Sequence, residues 1–164
     1  MENAVSQPGT PSVPNGTHKG SVDSAGRLFI PAKLQAYLTT DLQATRVFVS
    51  TLDRKHAQIW TLPAWEARKK KMLDGAVGAA QKKAVSDAIF RTQYYGEDVE
   101  IKAGRITLPT GMRRDLKLEN CPTHLVATEH GVLTVYTEES IAARLADAET
   151  DWDAKLDLIA DLLS

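Results

Sequence analysis

A single cysteine, Cys121, stands among the 164 residues of the chain. One thiol excludes an intramolecular disulfide framework and a zinc site built from cysteines alone. Long apolar runs are also missing, and stretches such as Val47-Phe48-Val49 are far too short to span a bilayer. The first residues hold no apolar segment behind a basic start, so no secretory signal is expected. Net charge is nearly absent, with 20 Lys and Arg against 21 Asp and Glu. Taken whole, a formal charge of −1 speaks against nucleic acid as a partner. What remains is the expectation of a soluble, cytoplasmic globular protein. At this length it forms one domain, or two small ones sharing a core. It can bury about two-thirds of its unfolded surface and needs neither disulfide nor metal to hold it.

The charge that is present is unevenly placed. Thr137 to Ser164 hold eight acidic and two basic residues, a net of −6, which leaves +5 on the preceding 136 residues. Such asymmetry hints at an anionic partner for the body, against the plainer reading of a solvated acidic helix. Residues 1–17 carry Pro8, Pro11 and Pro14 with Gly9 and Gly16, and read as a disordered tail.

The most informative feature is an internal repeat. Ser21 to Leu38 reads SVDSAGRLFIPAKLQAYL, and Val99 to Leu116 reads VEIKAGRITLPTGMRRDL. At an offset of 78, five of these 18 positions are identical, among them the pairs Gly26/Gly104, Arg27/Arg105 and Pro31/Pro109. Val47–Ser50 then parallels Leu125–Thr128, and after a two-residue shortening Ile59–Thr61 parallels Val135–Thr137. Each copy predicts a short strand, a Gly-Arg turn, a second short strand, a helix with proline in its first turn, and two more strands. Thr61 and Thr137 are suited to cap the helices that follow, and Thr150 to cap a last one. In that last helix Trp152, Leu156, Ile159 and Leu163 form one apolar stripe, expected to pack on the body or on a neighbouring subunit. The predicted organisation is a tail over 1–17, a first repeat over 18–64, a helical linker over 65–94, a second repeat over 95–138, and C-terminal helices over 139–164.

The turn Asp23-Ser24-Ala25-Gly26-Arg27 has a physical logic. Asp accepts backbone N–H bonds at a bend, and Gly adopts positive φ. An Asp and an Arg four residues apart across the bend can pair, orienting the guanidinium for bidentate contacts to phosphate or guanine. The second copy repeats Gly104-Arg105. Lys19, Lys33 and Arg46 flank the first turn; Lys102, Arg113, Arg114 and Lys117 flank the second. Arg68–Lys71 reads as a solvated helix face. Trp60, Trp65 and Tyr136 read as core, and Tyr94-Tyr95-Gly96 as packing under the second turn.

Competing chemistry is thin. Cys121, His124 and His130 offer at most three metal ligands, with Pro122 placed in a loop between them. A Cys121/His124 nucleophile has no orienting partner nearby in sequence. Phosphate-loop, nucleophile-elbow and dinucleotide motifs are missing. No enzyme activity, cofactor, metal or small-molecule substrate is expected.

Two Gly-Arg turns, each followed by Leu/Ile-x-Ile/Leu-Pro and a helix, resemble the MraZ family of bacterial regulators. DSAGRLFIP and AGRITLP carry the resemblance, supported by Trp60-Thr61-Leu62-Pro63, Trp65 and Phe90-Arg91. It implies an α+β fold of two pseudo-symmetric AbrB-like swapped-hairpin β-barrel halves, with intervening and C-terminal helices. It also implies sequence-specific binding of repeated promoter boxes in double-stranded DNA by a ring-shaped homo-oligomer at the nucleoid. The regulator would repress a division and cell-wall gene cluster. A D-x-x-x-R motif in each half would touch DNA: Asp23 and Arg27 match it in the first half and Arg105 in the second, and with the turn glycines Gly26 and Gly104 and the flanking Lys33 and Lys102 they are the candidate DNA-binding residues. Ile101 stands where the second Asp is expected, with Glu100 one place off, and Ala25 replaces a basic residue common before the first Gly. The alternative is an oligomeric protein-interaction module of the swapped-hairpin, antitoxin-like type.

Overall fold

Leu28 and Ile106 are the middle residues of two three-residue strands, and both side chains are buried. Their neighbours Arg27 and Phe29, Arg105 and Thr107 face solvent. In the computed structural model, which describes residues 11–164, this period-two alternation marks the strands after the two turns, whereas the strands Arg46–Ser50, Ala57–Thr61 and Val132–Thr137 are buried over most of their length. Of the expected tail, residues 1–10 lie outside the described residues, and Thr17 already belongs to the first strand.

The first half comprises β1 (Thr17–Val22), β2 (Arg27–Phe29), α1 (Ala32–Gln35), β3 (Arg46–Ser50) and β4 (Ala57–Thr61). After α1 the helix continues over Ala36–Asp41 with wider turns, ending where Leu42 N–H donates to the Tyr37 carbonyl. Two helices follow, α2 (Leu62–Gly75) and α3 (Gly78–Tyr95). The second half comprises β5 (Glu97–Glu100), β6 (Arg105–Thr107), α4 (Thr110–Asp115), β7 (Cys121–Glu129) and β8 (Val132–Thr137), and α5 (Glu138–Glu149) and α6 (Trp152–Leu163) complete the chain. No helix among the described residues is long and apolar enough to cross a membrane.

The eight strands form one antiparallel sheet in the order β5-β3-β4-β8-β7-β1-β2-β6. The first hairpin is swapped: β1 pairs with β7 of the second half, and β5 pairs with β3 of the first. The like pairs β2/β6 and β4/β8 lie on the pseudo-two-fold axis. The end strands β5 and β6 are consecutive and meet at the Lys102–Arg105 bridge, so the sheet nearly closes into a barrel. This is the α+β swapped-hairpin architecture that the family resemblance implies.

The register refines the repeat. Thr61 and Thr137 both cap helices, and they sit opposite Val47 and Thr123, so β3 maps onto β7 at an offset of 76. The two-residue shortening therefore falls before β7, not between the last two strands. Gly20 lies opposite Thr123 and Val99 opposite Val47, which sets β1 against β5 at an offset of 79. The strands after the turns keep 78: Ile30 N–H donates to the Gly104 carbonyl, and Leu108 N–H to that of Gly26. The second turn is accordingly one residue shorter than the first.

The barrel interior is aliphatic, with Leu28, Ile30, Leu34, Leu38, Val49, Ile59, Leu125 and Leu133 fully buried. Tyr37 adds a polar tie, its hydroxyl accepting from Gly131 N–H at 2.9 Å. A second cluster of Phe48, Trp60, Trp65 and Val132 anchors α2, with Trp65 5.1 Å from Phe48 and 5.3 Å from Trp60 between ring centroids. Thr61 caps α2 by accepting from Ala64 N–H, and Thr137 exchanges bonds with Ser140 in a capping box at α5.

Several local expectations are corrected. Pro31 and Pro109 stand just before the first helical residue rather than in the first turn. Thr150 closes α5, its hydroxyl donating to the Ala146 carbonyl, while Asp151 at φ 53° starts α6 without a side-chain cap. Tyr94 is exposed; Gly96 makes the close packing there, against the Phe48 ring. Pro122 belongs to β7, opposite Ser21, not to a loop. The α6 stripe does not cover the body: Trp152 is 50% and Ile159 38% exposed.

Candidate functional site

The first Gly-Arg turn is closed by its own aspartate. Asp23 Oδ1 accepts from the N–H groups of Ala25 and Arg27, both at 2.9 Å. Asp23 Oδ2 accepts from Arg27 Nε at 2.9 Å. Backbone bonds from Gly26 N–H to Asp23 and from Asp23 N–H to Arg27 complete the bend, with Gly26 at φ 80°. The bonds from the Arg27 and Ala25 backbone and from the Arg27 side chain hold the Asp23 carboxyl below its ordinary value. With Nε fixed, both terminal nitrogens of Arg27 remain turned to solvent as donors.

The second turn differs by one residue. Lys102 and Arg105 exchange backbone bonds at 2.9 Å around Ala103 and Gly104, at φ 52° and 73°. Two successive positive φ values define a two-residue hairpin turn. The residue donating to the Arg carbonyl is Asp23 in the first turn and Lys102 in the second. Lys102, not Ile101, therefore occupies the aspartate's place. Arg105 is held otherwise: Nη1 donates to the Ala103 carbonyl at 3.4 Å, and its guanidinium lies 5.5 Å from the Phe29 ring of the first half.

The swap brings the two turns together. In the β2/β6 ladder Arg27 lies opposite Thr107, and Phe29 opposite Arg105. The two arginines are diagonal neighbours on the solvent face, about 7–8 Å apart by ladder geometry. Asp23, Arg27, Lys102, Arg105 and Thr107 line one shallow depression of about 420 Å³, with Glu100 at its edge. Lys102 leans on Glu100 at 3.7 Å and is otherwise exposed. Lys33 is exposed on α1 and does not line the depression.

Each turn is also roofed by the helix of the other half. Arg113 of α4 donates from Nη1 to the Ala25 carbonyl at 3.2 Å, and a Cβ on Gly26 would collide with its guanidinium. Gln35 of α1, the counterpart of Arg113, lies over Gly104 in the same way and donates to the Ile30 carbonyl. Arg113, read from the sequence as flanking the second turn, thus serves the first. Phe29 escaped the sequence reading as a site residue; an aromatic at a solvent-facing strand position was the available signal.

The residues of the competing string disperse. Cys121 starts β7, and burial pushes its thiol pKa up, which disfavours the nucleophilic thiolate. His124 Nε2 lies 2.9 Å from a Glu138 oxygen, and His130 is in the β7–β8 turn. Among the described residues no three His, Cys, Asp or Glu side chains converge as a metal would require.

No protein-family model matches the chain. Among curated proteins, the transcriptional regulator MraZ of Acidobacterium capsulatum is 32% identical over 104 residues, 63% of this chain and 68% of the relative. The transcriptional regulator MraZ of Koribacter versatilis is 24% identical over 106 residues, 63% of this chain and 69% of the relative. With the swapped-hairpin barrel and its paired Gly-Arg turns, this similarity establishes that the chain belongs to the MraZ family of transcriptional regulators.

Proposed function

We propose that the β2/β6 ribbon reads double-stranded DNA, with Arg27 and Arg105 as the base- and phosphate-contacting side chains. The carrying observation is the Arg27 guanidinium locked by Asp23 on an exposed face that also holds Arg105. A two-stranded ribbon fits the major groove, where a bidentate Arg–guanine contact discriminates by about 1–3 kcal/mol. Lys102, and Lys33 at the margin, supply phosphate contacts, while Gly26 and Gly104 let the backbone turn tightly.

On this reading the chain acts in the cytoplasm at the nucleoid, as a repressor of a division and cell-wall gene cluster. Copies joined in a ring present the ribbon repeatedly to spaced promoter boxes, and effective concentration turns modest contacts into tight binding. Ribbon and tail differ in charge, so a net of −1 on the chain does not oppose the contact. The test is a gel shift on the chain's own upstream DNA. Wild-type protein should retard it selectively; equal retardation by the Arg27→Ala/Arg105→Ala double variant sinks the site. A binding curve flat in salt and indifferent to sequence would favour a protein-interaction module instead.

A further inference from the structure

Phe29 stands where an outward strand position ordinarily carries a polar side chain. It is 37% exposed, and among the described residues it is the one exposed large hydrophobic that lies on a strand. Its neighbours leave it open. Ser21 of β1 faces it on one side and is exposed, and Arg105 of β6 faces it on the other. The Arg105 guanidinium lies over the ring, 5.5 Å from its centroid. Arg27 is two residues back on the same face of β2.

The position is unequal in the two halves. Arg27 and Arg105 are equivalent at the offset of 78, and the same offset equates Phe29 with Thr107. The outward face of the ribbon is therefore a tetrad, with Arg27 opposite Thr107 and Phe29 opposite Arg105. A ribbon made by two identical chains has to present the same residue at both places, which suits a palindrome. A duplicated chain is free of that constraint, and here it sets a phenyl ring against a threonine. In the major groove the arginines match the guanine edge, whereas the C5-methyl of thymine is the one apolar group a base edge shows and is met by an apolar side chain.

We propose that Phe29 is a specificity-determining residue of the ribbon, its ring packing on the C5-methyl of a thymine beside the base contacted by Arg105. The proposal rests on the reading of the β2/β6 ribbon as the DNA-contacting surface. Directly opposed residues of an antiparallel pair stand about 4.5–5.5 Å apart at Cβ, and successive bases are about 3.4 Å apart along the helix axis. The thymine is accordingly about one or two base pairs from the guanine of Arg105. The contact takes apolar surface of both partners out of water. Thr107, with a hydroxyl beside its methyl, is far less selective at the equivalent place. The two halves thus prefer different bases there, and the box is asymmetric.

The test uses the full chain and the upstream duplex of the gel shift. Each thymine of the retarded box is replaced in turn by deoxyuridine, which removes the C5-methyl and keeps every hydrogen-bonding group. Wild-type protein should lose about fourfold in affinity at one thymine position of the box, which is what burial of one methyl group supplies. Phe29→Ser should bind the thymine duplex more weakly and no longer distinguish thymine from deoxyuridine at that position. Phe29→Leu, which keeps an apolar contact but places no ring under Arg105, should retain the distinction. Equal loss by Phe29→Ser on both duplexes means that Phe29 only seats Arg105 and overturns the proposal, as does a wild-type protein indifferent to every thymine methyl. In both cases the ribbon reading stands so long as the Arg27→Ala/Arg105→Ala double variant loses selective retardation. Equal retardation by that double variant removes the ribbon reading and the Phe29 contact together.

Discussion

Arg113 reaches 88 residues back along the chain and donates from Nη1 to the Ala25 carbonyl at 3.2 Å, roofing the first Gly-Arg turn from the opposite half. The turn that positions Arg27 is thereby a product of both halves: Asp23 closes it from within and α4 covers it from outside. Arg105 is held across the axis as well, by Phe29. Neither loop is a self-contained module.

Arg113→Ala removes the roof without touching Asp23 or Arg27. Binding to the upstream DNA should weaken by several-fold, less than for Arg27→Ala, which should cost about 1–3 kcal/mol per loop. Competition gel shifts rank the two. Equal affinity for wild type and Arg113→Ala would show that the turn holds its geometry alone.

Lys102 and Arg27 should differ in kind. Lys102→Ala should lower affinity uniformly across sequences and reduce the slope of log K against log salt by about 0.9. Arg27→Ala should flatten the preference between cognate and scrambled DNA. Titrations at several salt concentrations on both DNAs separate the effects.

The pH response of the first turn follows from Asp23. Its carboxyl is held below the ordinary value of 3.8, first by the Arg27 backbone bond and also by the Arg27 side chain and Ala25 N–H. A lowered folded value means that the contribution of the ionised form is complete above the ordinary value and is lost as pH falls through the lowered one. Carboxyl NMR titration should give a midpoint below 3.8, and Arg27→Ala should move it up. A midpoint unmoved by that substitution would contradict the pairing.

Gly20 and Gly111 make an opposed pair. A Cβ on Gly20 would stand 2.6 Å from the Phe29 carbonyl oxygen, a backbone atom with no side-chain freedom to yield. Gly20→Ala should therefore destabilise by about 1–3 kcal/mol and disturb Phe29 beneath Arg105. Gly111 in α4 has nothing within 4 Å of such a Cβ, so Gly111→Ala should stabilise by about 0.4–1 kcal/mol. Urea denaturation midpoints compare the two directly.

Tyr37→Phe tests the tie across the core. Tyr37 is buried, and its hydroxyl is the acceptor for Gly131 N–H at 2.9 Å. Removing it strands a buried donor, at a cost of about 1–3 kcal/mol. An unchanged denaturation midpoint would mean that the β7–β8 turn finds another acceptor.

The repeat, the strand–turn–strand–helix order of each copy, the caps at Thr61 and Thr137 and the Asp23–Arg27 pair were all legible in the sequence, because each depends on neighbours within a few residues. Legibility failed where the interaction was remote. Arg113 was assigned to the turn near it in sequence, since nothing local says that α4 crosses to the other half. Ile101 was set in the place of Asp23, since aligning letters at one offset of 78 hides a turn one residue shorter. Only the ladder hydrogen bonds, which count residues across strands, reveal that Lys102 stands there. The α6 stripe was visible as a pattern, yet a pattern states that a face is apolar and not what covers it.

Local chemistry is written in order along the chain: a short acid before a glycine bend, prolines and threonines at helix starts, and alternation that buries Leu28 and Ile106 while exposing the arginines beside them. Those choices are made by bonds spanning two to four residues, so the linear order suffices to read them. The meeting of Arg27 with Arg105 on one ribbon and the roofing of each turn by the opposite half are of another kind. They follow from strand exchange about the pseudo-two-fold axis, where burial of both halves in one barrel sets which distant residues become neighbours.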